Sequence, residues 1–89
     1  MSLNSDIAAL NLLLKTHGEK HWRLPTAHSS ASAAKVLRMF GGMGSIGDLV
    51  LCQSNGHRID KHEERAVNSR FRALLSSIYR QCSLYDKTP

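Results

Sequence analysis

Asp48-Leu49-Val50-Leu51-Cys52, then Gln53-Ser54-Asn55-Gly56, then His57-Arg58-Ile59: the reading of this stretch decides the fold class. The first run is apolar and suits a strand. Asn55-Gly56 is the pair most favoured in two-residue type I′ turns, because both central residues there need positive φ. His57-Arg58-Ile59 then reads as the returning strand. The local pattern predicts a β-hairpin and an α+β fold, with three main helices and the one hairpin inserted before the long C-terminal helix.

Beyond the hairpin, Asp60-Lys61-His62-Glu63 has capping-box spacing, with Asp in place of the usual Ser or Thr. Val67, Phe71, Leu74, Ile78 and Cys82 follow at steps of four, three, four and four, one unbroken apolar stripe. Lys61, Arg65 and Arg72 fall on the opposite side, and the helix frays after Leu84. Upstream, Leu3, Ile7, Leu10 and Leu14 mark an amphipathic first helix, widened by Leu13. Asn4 or Ser5 can cap it, Asp6 complements its positive end, and Gly18 can close it. Glu19 to Leu24 reads as one further turn carrying Trp22 and stopped by Pro25. Ser29 or Ser30 then caps a second helix over residues 31–40, with Ala33, Val36, Leu37 and Phe40 inward.

That helix runs into Gly41-Gly42-Met43-Gly44-Ser45-Ile46-Gly47. Gly42 to Gly47 satisfies G-x-G-x-x-G by letter. A dinucleotide site needs a strand before the glycines and a helix after them; here the order is reversed, and no Walker-type Gly-Lys follows. The structural reading is a helix end closed by Gly41 or Gly42, a tight crossover in which Gly44 allows close approach, and Met43 as a core plug. The functional reading is a nest of amides from Gly42 to Ser45 that takes an anion or a partner's carboxylate, with Asp48 as the internal competitor. Gly42, Met43, Gly44, Ser45 and Asp48 are accordingly the candidate contact residues.

Gly18-Glu19-Lys20-His21-Trp22, then Phe40-Gly41-Gly42-Met43-Gly44-Ser45 running on to Leu51, then Asn55 to Ile59, follow in a recognisable order. In these segments the chain resembles a family of small uncharacterised bacterial proteins, a domain of unknown function, over roughly residues 10 to 82. The stretch from Leu24 to Ser32 is shorter than that pattern, and Gly47 stands where a polar residue is expected. The resemblance implies a bacterial source and an order of elements. It implies no activity.

Eighty-nine residues make a single small domain, 1–89, with room for one modest core, which excludes a multidomain enzyme and a large enclosed cofactor pocket. Two cysteines are too few for a secreted disulfide framework, so a reducing cytoplasm is the expected setting. The apolar run Ile7 to Leu14 is too short to cross a bilayer and lacks the basic lead of a signal peptide. His17, His21, His57 and His62 with Cys52 lack zinc-site spacing, and Cys52, His57 and Asp48 lack the context of a thiol hydrolase. Neither a metal, a cofactor nor a catalytic residue is expected.

Two function classes remain. A non-enzymatic protein-interaction module, such as an immunity-type or inhibitor protein, would use the glycine loop and the hairpin surface. The hairpin's open edges could also pair across a two-fold axis to form a homodimer. A small nucleic-acid-binding protein would instead use Arg58, Lys61, Arg65 and Arg72, since the net charge is +5. A solvated cationic face is the plainer account of the same residues.

Overall fold

The computed structural model describes residues 2–41 and 45–85. Three helices carry the fold: α1 (Leu3–Thr16), α2 (Ser30–Arg38) and α3 (Glu64–Leu84). Single 3₁₀ turns at Ile46–Asp48, Gln53–Asn55 and Lys61–Glu63 punctuate the long connection between α2 and α3. Both α1 and α2 pack on α3. No helix among the described residues is long and apolar enough to cross a membrane.

The helical stripes read from spacing do face inward. Ile7, Leu10 and Leu14 of α1 and Ala33 and Val36 of α2 are buried. They meet Phe71, Leu74, Ile78 and Cys82 of α3, which Leu75 joins. Leu24, Ala27, Ile46, Leu51 and Ile59 reach the same core from the connecting segments. Each fully buried Leu or Ile is worth about 1.5–3 kcal/mol, so the connections contribute to the core as the helices do.

The expected hairpin is absent: the described residues contain no strand, and the fold is all-helical rather than α+β. One backbone bond does cross between the two intended strands, from His57 N–H to the Cys52 carbonyl at 3.2 Å, but most of their other polar groups are satisfied elsewhere. Leu51 N–H donates to Asn68 Oδ1, and Asn68 Nδ2 donates back to the Leu51 carbonyl, each at 2.8 Å. Arg72 donates to the carbonyls of Gly47 and Leu49. Gln53 Nε2 donates to the Ile59 carbonyl, and Arg58 N–H donates to the carbonyl of His17, at the end of α1. With those groups engaged, the single Cys52–His57 bond is not extended into a ladder. Asn55-Gly56 still turns the chain, but only Gly56 has positive φ (+83°), so the turn is not type I′.

Smaller expectations shift as well. Ser2, not Asn4 or Ser5, caps α1, its side chain accepting from Ser5 N–H. Ser29 and Ser32 form a reciprocal capping box on α2. Asp60 makes no side-chain cap, and the 3₁₀ turn Lys61–Glu63 leads directly into α3. The turn expected around Trp22 is irregular chain. Gly41 is not the residue that closes α2, since among the described glycines only Gly18 and Gly56 have positive φ; Gly42, Met43 and Gly44 lie outside the described residues.

Gly18 does end α1 as expected. At φ +75° its N–H donates to the Lys15 carbonyl, and Glu19 N–H donates to the Leu14 carbonyl at 2.9 Å. This is the Schellman arrangement, and it fixes the direction in which Glu19 leaves the helix.

Candidate functional site

Arg65, Asn68, Ser69 and Arg72 recur at helical spacing, so α3 presents them on one face, and Lys61 stands just ahead of it. With Val50 and Glu64 they line an open groove. Val50 supplies its wall, and the chain on either side of Val50 is held against α3 by the Arg72 bonds to Gly47 and Leu49 and by Asn68 at Leu51. Arg72 is therefore partly consumed: its guanidinium positions the wall that it also lines. Glu64 accepts Gln53 N–H at 3.2 Å, which fixes one carboxylate among the cations.

One turn further along α3 the chemistry changes. Phe40, Gly47, Leu75, Ser76 and Tyr79 form a cleft of about 300 Å³ that Arg72 also lines. Phe40 and Tyr79 meet edge to face, ring centres 5.3 Å apart and planes at 68°. Tyr79 is half exposed (50%) and Val50 nearly so (42%); they share this exposure with Leu12 and Leu84, which line neither the groove nor the cleft. The result is one track: basic at the N-terminal end of α3, aromatic further on, joined at Arg72.

The other candidates separate from this face or from one another. Arg58 lies at the C-terminal end of α1, its backbone paired with His17: Arg58 N–H donates to the His17 carbonyl, and His17 Nδ1–H donates to the Arg58 carbonyl, both at 2.8 Å. Ser45 is buried and donates to the Phe40 carbonyl at 3.4 Å, while Ile46 N–H donates to that of Met39 at 3.1 Å, so both tie the glycine segment back to the end of α2. Asp48 is exposed in the 3₁₀ turn beside the groove wall. The nest over Gly42, Met43 and Gly44 lies outside the described residues.

A second polar centre was not foreseen. Glu19 and His57 are both buried, and His57 Nε2 meets Glu19 Oε1 at 3.0 Å. Glu19 Oε2 accepts the N–H groups of His21 (2.5 Å) and Trp22 (2.7 Å). His57 Nδ1 accepts Cys52 N–H at 3.2 Å, so Nε2 is the nitrogen that donates to Glu19. The contact to Glu19 is a charge-assisted hydrogen bond. Burial, the largest influence on Glu19, pushes its carboxyl upward. The bond from His57, the amides of Trp22 and His21 and the charge interaction with His57 together outweigh it and hold the group below its usual range.

This centre is occupied chemistry. Both His57 nitrogens are engaged, so the ring has no free lone pair with which to activate a nucleophile. Cys52 Sγ lies 3.3 Å from Ser54 Oγ, and the Cys82 thiol sits in the core, where burial pushes its pKa up. The histidines weighed for zinc do not assemble. Among the described residues the one group near enough to share an ion is Asp60, His62 and Glu63, all exposed.

Tyr79 had a legible signal, since it follows Arg65 and Arg72 at multiples of seven on the same helix face. Asn68 and Glu19 had none: a mid-helix Asn and a post-helix Glu read as solvated residues until their partners are known.

The family described as Domain of unknown function (DUF6966) matches residues 15–60, just over half of the chain. No curated protein and no solved structure matches it. The matched span begins and ends where the fold is pinned, by His17 to Arg58 and Glu19 to His57.

Proposed function

From the premise that the chain belongs to the DUF6966 family, whose description carries no activity, we propose that it is a non-enzymatic protein-interaction module. Its contact surface is Lys61 and the exposed face of α3 as far as Tyr79, with the segment 47–50 as its edge. The observation that carries this reading is the junction at Arg72, where a basic groove meets an exposed aromatic cleft. Protein interfaces combine Arg and aromatic residues in this way, with an apolar centre that can be desolvated beside a charged rim. The glycine segment keeps a part in it, because Phe40 and Gly47, which bracket that segment, both line the cleft. A basic surface suits an acidic partner.

Nucleic acid is the weaker reading. Glu64 sits among the cations, Arg72 spends donors on backbone carbonyls, and Arg58 lies elsewhere. The homodimer loses its premise, since the strand edges that were to pair are not present among the described residues.

The test is affinity capture from the source cell with the wild type, Lys61→Glu/Arg65→Glu, Tyr79→Ser, and Lys35→Glu as a control on α2. The expected result is a protein retained by the wild type and by Lys35→Glu at about 0.3 M salt, and lost from the other two. Retention by every variant would sink the proposed surface. Duplex or single-stranded DNA bound in its place, weakening steeply between about 0.05 and 0.2 M salt, would establish the nucleic-acid reading.

A further inference from the structure

Resting on that reading, we infer that the partner docks a short acidic segment bearing one aromatic or large apolar anchor, laid lengthwise along α3. The carboxylates meet Lys61 and Arg65, and the anchor enters the cleft between Phe40 and Tyr79.

The argument is one of charge and length. The cations lie at one end of the track, and the exposed ring lies at the other. Arg65 and Tyr79 are fourteen residues apart on one continuous helix, which sets them about 21 Å apart along its axis. An extended chain covers that distance in about six residues. Segment 47–50 borders the track on one side, which gives the occupant a wall to lie against. Val50, exposed in the basic half, gives the middle of the segment an apolar footing. The Glu64 carboxylate, held by Gln53 N–H beside Lys61 and Arg65, disfavours an unbroken row of anions such as a phosphate backbone and limits the segment to carboxylates that meet those two cations individually. A second copy of this chain is the poorer occupant, because it brings a net +5 molecule and the same cations to the face.

The probes are fluorescein-labelled peptides of about twelve residues carrying three glutamates and one tryptophan, with the tryptophan about six residues from the glutamates in one set and adjacent in another, in both chain directions. Binding is read by anisotropy at about 0.05 M salt. The expected result is at least about fivefold tighter binding of the spaced peptide, in one direction. Lys61→Glu/Arg65→Glu should weaken it at least about tenfold at an unchanged thermal midpoint, and Tyr79→Ser at least about fivefold while the chain stays folded, its midpoint lowered by the loss of the Phe40 contact. Arg72 is left intact because it holds the groove wall.

Spacing-indifferent binding, or binding that ignores these substitutions, would overturn the inference. So would no binding at about 1 mM protein, or tighter binding of a ten-residue oligo-dT than of any peptide. If the α3 variants lose the captured protein while the peptides show no spacing preference, the interaction surface stands and the lengthwise acidic segment does not. If those variants keep the protein, both fall.

Discussion

Asn68 pairs with Leu51 through both halves of its amide, accepting the Leu51 N–H and donating to the Leu51 carbonyl, each at 2.8 Å. The side chain acts as a one-residue strand. α1 does the same twice: Asn11 brackets Leu24 at 2.9 and 2.8 Å, and Asn4 brackets Ala27 at 2.8 and 3.0 Å. Each bracketed residue is buried. Helices thereby hold extended chain that would otherwise need a sheet to satisfy its backbone.

Asn68→Ala should accordingly cost more than an ordinary exposed helix substitution. It leaves a buried N–H and C=O without partners, at about 1–3 kcal/mol each before relaxation. Urea denaturation should show a loss of about 2–4 kcal/mol, and Ser69→Ala, one residue away and exposed, should stay within about 0.5 kcal/mol. Equal effects of the two would show that the pairing carries little weight.

These brackets also mark where the sequence stopped being readable. The stripe from Phe71 to Cys82 announced α3, because periodicity depends only on neighbours along the chain. The apolar run Asp48 to Cys52 and its Asn-Gly turn were equally strong locally, yet the backbone of Leu51 is paired by a residue 17 positions away. Asp6 is a parallel case. It looked like a dipole partner at a helix start, but it is buried, accepting from Ser77 Oγ and Gln81 Nε2 of α3, both at 2.8 Å. At the candidate site, Lys61, Arg65 and Arg72 were legible from helical spacing. Phe40 meeting Tyr79 was not, because it depends on how α2 packs on α3.

Phe71 and Ile78 are fully enclosed, and Leu74 is 9% exposed. Phe71→Ala should destabilise by about 3–5 kcal/mol and Leu74→Ala by about 2–5, with Phe71 the larger because it is wholly buried. Equilibrium unfolding measures both. Values near about 0.5 kcal/mol would mean that α3 presents another face to the core.

Glu19 sets an acid limit on the fold. Its carboxyl lies lower in the folded chain than in the unfolded one, so the unfolded state binds the proton more readily. The stabilisation is complete above the ordinary Glu value of about 4.3 and is lost as pH falls through the lowered folded value. The thermal midpoint of the wild type should therefore drop faster with acid over that interval than that of Glu19→Gln, which has no proton to gain there. Parallel curves would remove Glu19 from the account.

Gly18 and Gly56 test the backbone directly. Both have positive φ, +75° and +83°, where an alanine Cβ costs about 1–2 kcal/mol. At Gly56 a Cβ meets nothing within 4 Å, so Gly56→Ala isolates the conformational cost. At Gly18 it lies 3.4 Å from Arg58 Nε, an ordinary contact, but the same residue aims Glu19 at His57. Gly18→Ala should cost more than Gly56→Ala, and it should also flatten the acid dependence by displacing Glu19. Gly41 is the control: its φ is not positive and its Cβ finds only the Arg38 carbonyl, at 3.9 Å, so Gly41→Ala should stabilise by about 0.4–1 kcal/mol through the unfolded state. Unfolding of the three variants at neutral and acid pH gives the comparison. If Gly18→Ala lost stability but kept the wild-type acid slope, the Schellman turn would close the helix without positioning the buried carboxylate.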